Sequence, residues 1–421
     1  MATSTKSTKK TVKTVYDVIA GLDIGNGLVK GKVEIDGKTH PIDVPSAMTY
    51  TSSSRLDPEL DLDAVDDLAN HLEATVVSSA VPATSAGRLL FGTRAVTSGG
   101  HMTQFHIDAH VPKSSEPLSV LLALDVVASQ TIAAAAKDGA GDVPESLCAN
   151  CVLSVALPID DYMEHRTEYR DRLMREPHHV ICHNYGHDID VKVTFTEVAV
   201  VPEGVAALAA LRATGPDFME AALTLARSNG ATIDASYTGE VLVGLGDVIG
   251  IDVGEGTVNF PVFSNGTINT ECSKSINEGF GNVLDDVVDR LRQSNSGIQA
   301  ESRGAVEKIL LPKIDPKDQT LKARRIRERV MEEVDRVSPT LVEAIADTFT
   351  SVWRRVGTSC EVVYIYGGGA RFIADQLQSR IESICDTGGI GCPVVYLDSA
   401  WSRNLNAEGL YKSAKKLAAS K

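Results

Sequence analysis

The chain repeats itself, and that repeat limits its possible folds more than any other feature. Near the N-terminus an apolar strand runs into Asp23-Ile24-Gly25-Asn26-Gly27, a second strand follows, and Asp36-Gly37 turns the chain into a third. Far downstream the same order recurs as strand, Asp252-Val253-Gly254-Glu255-Gly256, strand, Asn265-Gly266, strand. Fourteen residues separate the leading Asp from the second turn's Gly in both copies. Asp-Gly and Asn-Gly between alternating apolar runs signal type I′ hairpins, because both central residues there take positive φ. Two matched three-stranded meanders predict a duplicated domain.

Around the repeat, short apolar strands alternate with amphipathic helices, the pattern of an α/β protein. Strands are expected at 16–24, 28–35, 39–44, 151–157, 190–200, 248–253, 257–263, 361–366 and 393–397. Helices are expected at 117–137, 160–175, 204–213, 280–292, 323–356, 370–384 and 404–418. Pro339 predicts a break near Ser338 in the longest of these. The stretch 322–336 is charged almost all round and reads as a solvated face.

Composition narrows the class. At 421 residues the chain has room for two domains of ~150 residues or more. Its 41 Lys and Arg against 56 Asp and Glu leave a net charge of −15, which disfavours direct nucleic-acid coating. Seven cysteines, an odd number without a dense framework, suggest a reduced, cytoplasmic protein. No stretch approaches the ~20 uninterrupted apolar residues of a membrane span. Residues 1–15 carry Lys6, Lys9, Lys10 and Lys13 among Ser and Thr, and read as a mobile arm rather than a signal peptide.

An Asp-x-Gly-x-Gly turn suits phosphate. Glycines let backbone N–H groups approach phosphate oxygens, and the Asp stands where hydrated Mg²⁺ needs a carboxylate. One such turn is ordinarily just a turn, but two in a duplicated frame can face each other across a cleft. Lys30, on the strand after the first turn, is placed to reach a β- or γ-phosphate; read alone it is an exposed strand lysine. A third cluster, Tyr366-Gly367-Gly368-Gly369-Ala370, joins a strand to a helix and leaves room for a flat ring or ribose. Cys148-Ala149-Asn150-Cys151 with His178, His179, Cys182, His183 and His187 lacks paired zinc spacing, so ordinary buried cysteines and loop histidines are favoured. His101, His106 and His110 read as scattered loop residues.

Taken together, the segments 21–30, 251–257 and 366–370 resemble the phosphate-1, phosphate-2 and adenosine motifs of the actin-like ATPases, whose superfamily includes sugar kinases and heat-shock chaperones. Within it the chain most resembles the bacterial filament-forming proteins of the ParM plasmid-segregation type. Val200-Val201-Pro202-Glu203-Gly204 is similar to the element carrying that family's catalytic Glu. Phe91-Gly92-Thr93-Arg94-Ala95 resembles its small outer subdomain, and the segment 404–410 resembles its closing helix.

The resemblance implies an actin-like duplicated α/β fold with two domains flanking a nucleotide cleft. Domain I would cover 16–236 plus 396–421, with a small subdomain at 46–107, and domain II 237–395. It implies ATP/ADP, with GTP as the alternative, and Mg²⁺ held by Asp23 and Asp252. Nucleotide would contact Asp23, Gly25, Asn26, Gly27, Lys30, Gly254, Glu255, Gly256, Thr257, Gly367, Gly368, Gly369 and Ala370. Glu203 would orient the attacking water with Asp252 as its catalytic partner. Two departures stand out: Asn259 occupies a place where many relatives have Asp, and Glu255 is expected to point away from the phosphates.

The function implied is an ATPase that polymerises with nucleotide, segregates plasmid DNA through an adaptor, and avoids direct contact with DNA or membrane. A sugar-type small-molecule kinase on the same fold is the alternative, although no second Asp-containing substrate element is evident. A nucleotide-gated chaperone and a membrane-docking division protein fit less well: no client-binding domain is evident, and 411–420 is short and rich in Ala and Lys.

Overall fold

The computed structural model describes residues 13–51, 62–82, 87–106, 111–228, 230–231, 233–294, 297–312, 319–386, 391–398 and 402–420. His110 and residues 1–12 of the expected arm lie outside them. The arm's last residues are already part of the fold. Lys13 pairs with Asp36 at 2.5 Å, and Val15 opens the first strand.

Among the described residues the first sheet has ten strands. In chain order they are β1 (Val15–Ile24), β2 (Leu28–Ile35), β3 (Lys38–Pro45), β4 (Met48–Tyr50), β5 (Glu73–Ser78), β6 (Arg88–Phe91), β7 (Met102–Thr103), β8 (Ser146–Leu157), β9 (His178–Tyr185) and β10 (His187–Pro202). Their spatial order is β3-β2-β1-β8-β10-β9-β5-β6-β4-β7. Strands β4–β7, from the expected small subdomain, extend this sheet beyond β9.

The second sheet contains β11 (Val248–Val253), β12 (Val258–Phe260), β13 (Val262–Ser264), β14 (Thr267–Ile268), β15 (Lys274–Ile276), β16 (Val362–Tyr366) and β17 (Val394–Tyr396). Here β11 pairs antiparallel with β12 and β13 and parallel with β16, which continues parallel to β17. The first sheet does the same around β1: antiparallel to β2, parallel to β8, then β10.

The hairpin turns match as well. Asp36 and Gly37 have φ of 52° and 74°, and Asn265 and Gly266 have 52° and 77°. Both are positive at the two central positions, as type I′ requires. The expected strand at 257–263 is split at Pro261, which has no N–H for the ladder. Gly250 N–H still bonds the Pro261 carbonyl at 2.9 Å, so the register carries through.

The helices, in chain order, are α1 (Gly92–Thr97), α2 (Pro117–Asp138), α3 (Ile159–Leu173), α4 (Val205–Arg212), α5 (Pro216–Ser228), α6 (Gly239–Gly244), α7 (Phe280–Gln293), α8 (Arg303–Leu310), α9 (Leu321–Val356), α10 (Ala374–Cys385) and α11 (Leu405–Ala419). Helix α2 is long and apolar enough to cross a membrane, but it is the core helix of the first half, with 94% of its apolar window buried. Tyr16, Val18, Ala20, Leu22 and Ile24 alternate along β1 into the core beneath it. Gly21 points to the other face, where α11 lies so close that a Cβ would stand 2.2 Å from the Tyr411 nitrogen.

In the second half Ile249, Ile251 and Val253 join a core with α7–α10. The opposite face is covered by α4–α6 through Leu208, Leu211, Met219 and Leu223. Helices α4 and α5, grouped with the first domain by the sequence reading, thus share their core with the second sheet.

Helix α9 does not break at Pro339 and runs as one helix of 36 residues. Pro339 and Asp335 both lie on its exposed side, so the carbonyl that loses its N–H partner faces water. The charged stretch 322–336 is solvated mainly in its first turns. Val330, Glu333 and Val334 are buried, and Glu333 accepts from Arg290 at 3.0 Å and Arg336 at 2.9 Å.

Candidate active site

The two Asp-x-Gly-x-Gly turns have the same backbone. Gly25 N–H bonds the Leu28 carbonyl at 3.0 Å, and Gly254 N–H bonds that of Thr257 at 2.9 Å. Each turn is tied down by its carbonyls. Ser46 donates to Gly25 O (2.6 Å) and Gly27 O (2.9 Å), while Phe280 and Gly281 N–H, opening α7, donate to Gly254 O (3.0 Å) and Glu255 O (2.7 Å).

The turns face each other across a cleft of about 370 Å³. Every nucleotide residue expected from the sequence lines this cleft except Ala370, which is fully buried behind its wall. The contact between the turns is reciprocal. A Cβ on Gly256 would fall 1.5 Å from the Asn26 side-chain nitrogen, and a Cβ on Gly27 would fall 1.5 Å from Glu255 Oε2. Glu255 therefore does not point away. Its carboxylate spans the cleft and rests on the first turn, where it has Gly27 beneath it and Arg303 at 3.8 Å.

Glu203 follows β10, and its N–H bonds the Leu157 carbonyl at 2.7 Å. Gly204, at φ 78°, turns the chain into α4, a conformation that favours glycine. The Glu203 carboxylate is 6% exposed and well partnered. Lys113 Nζ donates to Oε1 at 2.7 Å; Thr257 Oγ1 and Asn259 Nδ2 donate to Oε2 at 3.2 and 3.0 Å. Burial works against the Lys113 ammonium, but Glu203 and Asp23 hold its pKa above the usual amine value. Asn259 supplies a donor to Glu203 that an ionised Asp could not.

Asp252 accepts from Asn406 Nδ2 at 2.8 Å. Burial pushes its pKa up to about 7, with Asp23 and Glu203 adding repulsion. Asp23 is raised to about 6, first by burial and then by Glu203, with Lys30 and Lys113 opposing. Asp23 and Asp252 line the same cleft and repel each other, so a divalent cation bound between them would relieve that repulsion. Asn406 also bridges the halves: its Oδ1 accepts from the Gly204 and Ala207 N–H groups, both at 3.2 Å.

The third glycine cluster closes the other side. Gly367 has φ 99°, and a Cβ there would meet Val253 O at 2.5 Å. Gly369 N–H bonds Val253 O at 2.9 Å, so this turn leans on the end of β11. Beside it Phe280 and Phe372 stack at 4.8 Å and give the cleft an aromatic wall.

Sequence reasoning missed Lys113, the aromatic wall and the role of Asn406. Lys113 sits in a single 3₁₀ turn, Lys113–Ser115, with no periodicity to mark it; its position just before the apolar helix α2 is the only local signal. The histidine group separates into local pairs. His178 bonds Ser78 and the Leu173 carbonyl, while His179 and His183 pair with Asp190 and Asp188. Among the described residues no cluster of three metal-ligating side chains forms.

The C-terminal domain profile of archaeal MreB-like actin homologues matches residues 250–379. A ParM from a 15-stranded Clostridium botulinum filament is 16% identical, with a TM-score of 0.57 over 96% of this chain and 99% of that one. An archaeal actin homologue is 15% identical, with a TM-score of 0.56 over 96% and 99%. Bacillus thuringiensis ParM with ADP is 14% identical, with a TM-score of 0.54 over 95% and 99%. No curated protein matches the sequence. The chain has the actin-like fold.

Proposed function

We propose that this actin-like chain is a ParM-type cytomotive ATPase: it binds a nucleoside triphosphate in the cleft, hydrolyses it, and polymerises in step with that cycle. The observation that carries the reading is the pair of equivalent glycine turns facing each other beside Glu203. Solved relatives of this fold include a ParM filament and ParM bound to ADP, which supports self-assembly and nucleotide use here.

The residues divide the work. Lys30 and the glycine turns hold the phosphates and neutralise their charge. Asp23 and Asp252 would hold Mg²⁺, which when bound would offset negative charge on the phosphates. Glu203 accepts a hydrogen bond from the attacking water, and Lys113, Thr257 and Asn259 fix its carboxylate for that role. Glu255 leaves Gly27 when phosphate arrives, and Arg303 is its nearest alternative partner. An open filament needs a head-to-tail contact between copies. The acidic surface favours plasmid DNA reached through an adaptor in the cytoplasm.

Light scattering and pelleting with Mg-ATP, Mg-GTP and the diphosphates test this. Scattering should rise with triphosphate and decay as phosphate is released. In Glu203→Ala, checked for folding by circular dichroism, it should persist while hydrolysis falls about 10²–10⁴-fold. A chain that binds ATP and stays unassembled in every condition would sink the filament reading and favour a small-molecule kinase.

A further inference from the structure

Away from the cleft, three of the seven cysteines come together from separate stretches of chain. Cys360 lies between α9 and β16, Cys385 ends α10, and Cys392 stands two residues before β17. All seven cysteines are free thiols. The Cys360 and Cys392 sulfurs are 4.0 Å apart and both residues are partly exposed, while Cys385, buried at 2%, lies close enough to influence Cys392. We propose that this trio is a peroxide-responsive thiol site, in which Cys392 is the reacting sulfur and Cys360 captures it as a disulfide.

The backbone already suits the bond. Strands β16 and β17 are parallel neighbours with Val363 opposite Val394, which sets Cys392 beside Glu361 and diagonal to Cys360. A disulfide requires the sulfurs to close to about 2.0 Å, and side-chain rotation covers most of that distance. The chemistry is supported by the surroundings. The neighbouring sulfurs of Cys360 and then Cys385 favour the ionised form of Cys392 and hold it below the ordinary thiol range, and the thiolate is the nucleophilic form.

The steps balance with a peroxide as oxidant. The Cys392 thiolate attacks one peroxide oxygen; the O–O bond breaks, giving a sulfenic acid and hydroxide. The Cys360 sulfur then attacks Cys392 Sγ, forming the S–S bond. The S–OH bond breaks and the oxygen leaves as hydroxide. The proton of the Cys360 thiol and the proton that Cys392 released on ionising complete two waters in all. Each sulfur loses one electron, and the peroxide oxygens gain two. Cys385, still a thiol against Cys392, can replace Cys360 by exchange.

The test uses the full reduced chain and hydrogen peroxide near stoichiometry, read by free-thiol titration and by mass spectrometry of a non-reduced digest. Free thiols should fall from seven to five and return with dithiothreitol, with the linked peptide joining Cys360 to Cys392. Cys360→Ser should move the link to Cys385–Cys392, and Cys392→Ser should slow thiol loss at least ~10-fold. Circular dichroism confirms that each variant is folded. Links through Cys148, links between two chains, seven surviving thiols, or unchanged kinetics in Cys392→Ser would each overturn the site.

Discussion

The two halves of the cleft share one backbone and differ in what they hang on it. In the β1–β2 ladder Asp23 stands opposite Lys30; in the β11–β12 ladder Asp252 stands opposite Asn259. The same position in the repeat therefore carries a cation in one half and an amide that holds Glu203 in the other. The middle residue of the turn differs likewise, Asn26 against Glu255. The repeat gives two turns of one geometry, and on the function proposed above single side chains suit one half to binding and the other to chemistry.

The sharpest way to break this comparison is to mutate equivalent glycines. Gly21 and Gly250 both lie two residues before the Asp. A Cβ on Gly21 meets Tyr411 backbone at 2.2 Å, whereas on Gly250 it meets the Tyr366 hydroxyl at 2.6 Å and a proline ring carbon at 2.9 Å. Backbone yields less than side chain. Gly21→Ala should cost about 3 kcal/mol or more in chemical denaturation and Gly250→Ala about 1–2. Equal costs would mean that the two faces are packed alike after all.

A somewhat smaller effect separates binding from turnover. Lys30→Ala should weaken triphosphate binding about 10–30-fold by fluorescence titration and leave saturated turnover nearly intact. Asn259→Ala should do the reverse, lowering turnover about tenfold with binding unchanged. If both variants move the same parameter, the division of labour is wrong.

The smallest effect concerns the carboxylates themselves. In the nucleotide-free protein both Asp23 and Asp252 keep protons that the unfolded chain gives up. The stability they lend is thus present near pH 4 and lost as pH rises through about 6 for Asp23 and about 7 for Asp252. Asp252→Asn removes that loss and should raise stability at pH 8 by about 1–2 kcal/mol, more than Asp23→Asn does. Thermal melts from pH 5 to pH 8 check it; parallel slopes for wild type and Asp252→Asn would refute the assignment.

What could be read in the sequence follows from what is local. Turn chemistry at Asp36-Gly37 and Asn265-Gly266, and the glycines of the three cleft-lining turns, depend on backbone conformation that neighbouring residues encode. Lys113 and Asn406 could not be found that way, since their roles come from contacts across 90 and 154 residues of sequence. Strands β4–β7 went unread because each is six residues or fewer and they depend on one another for pairing, and β9 because polar and histidine residues interrupt its apolar run. Pro339 misled for a physical reason: the carbonyl it frees faces water, which meets its hydrogen bond and lets the helix continue. The outward direction of Glu255 was inferred from charge alone, without Gly27 opposite leaving room for a carboxylate.

Asn406 joins Glu203's helix to Asp252, and this has a consequence for biosynthesis. At about 5–20 residues per second, the 154 residues between Asp252 and Asn406 take the ribosome roughly 8–30 s to add. Throughout that interval both phosphate turns have been synthesised, but the amide that ties the halves together has not. A polysome-bound chain therefore lacks, until Asn406 is made, the bond that ties the two halves of the cleft.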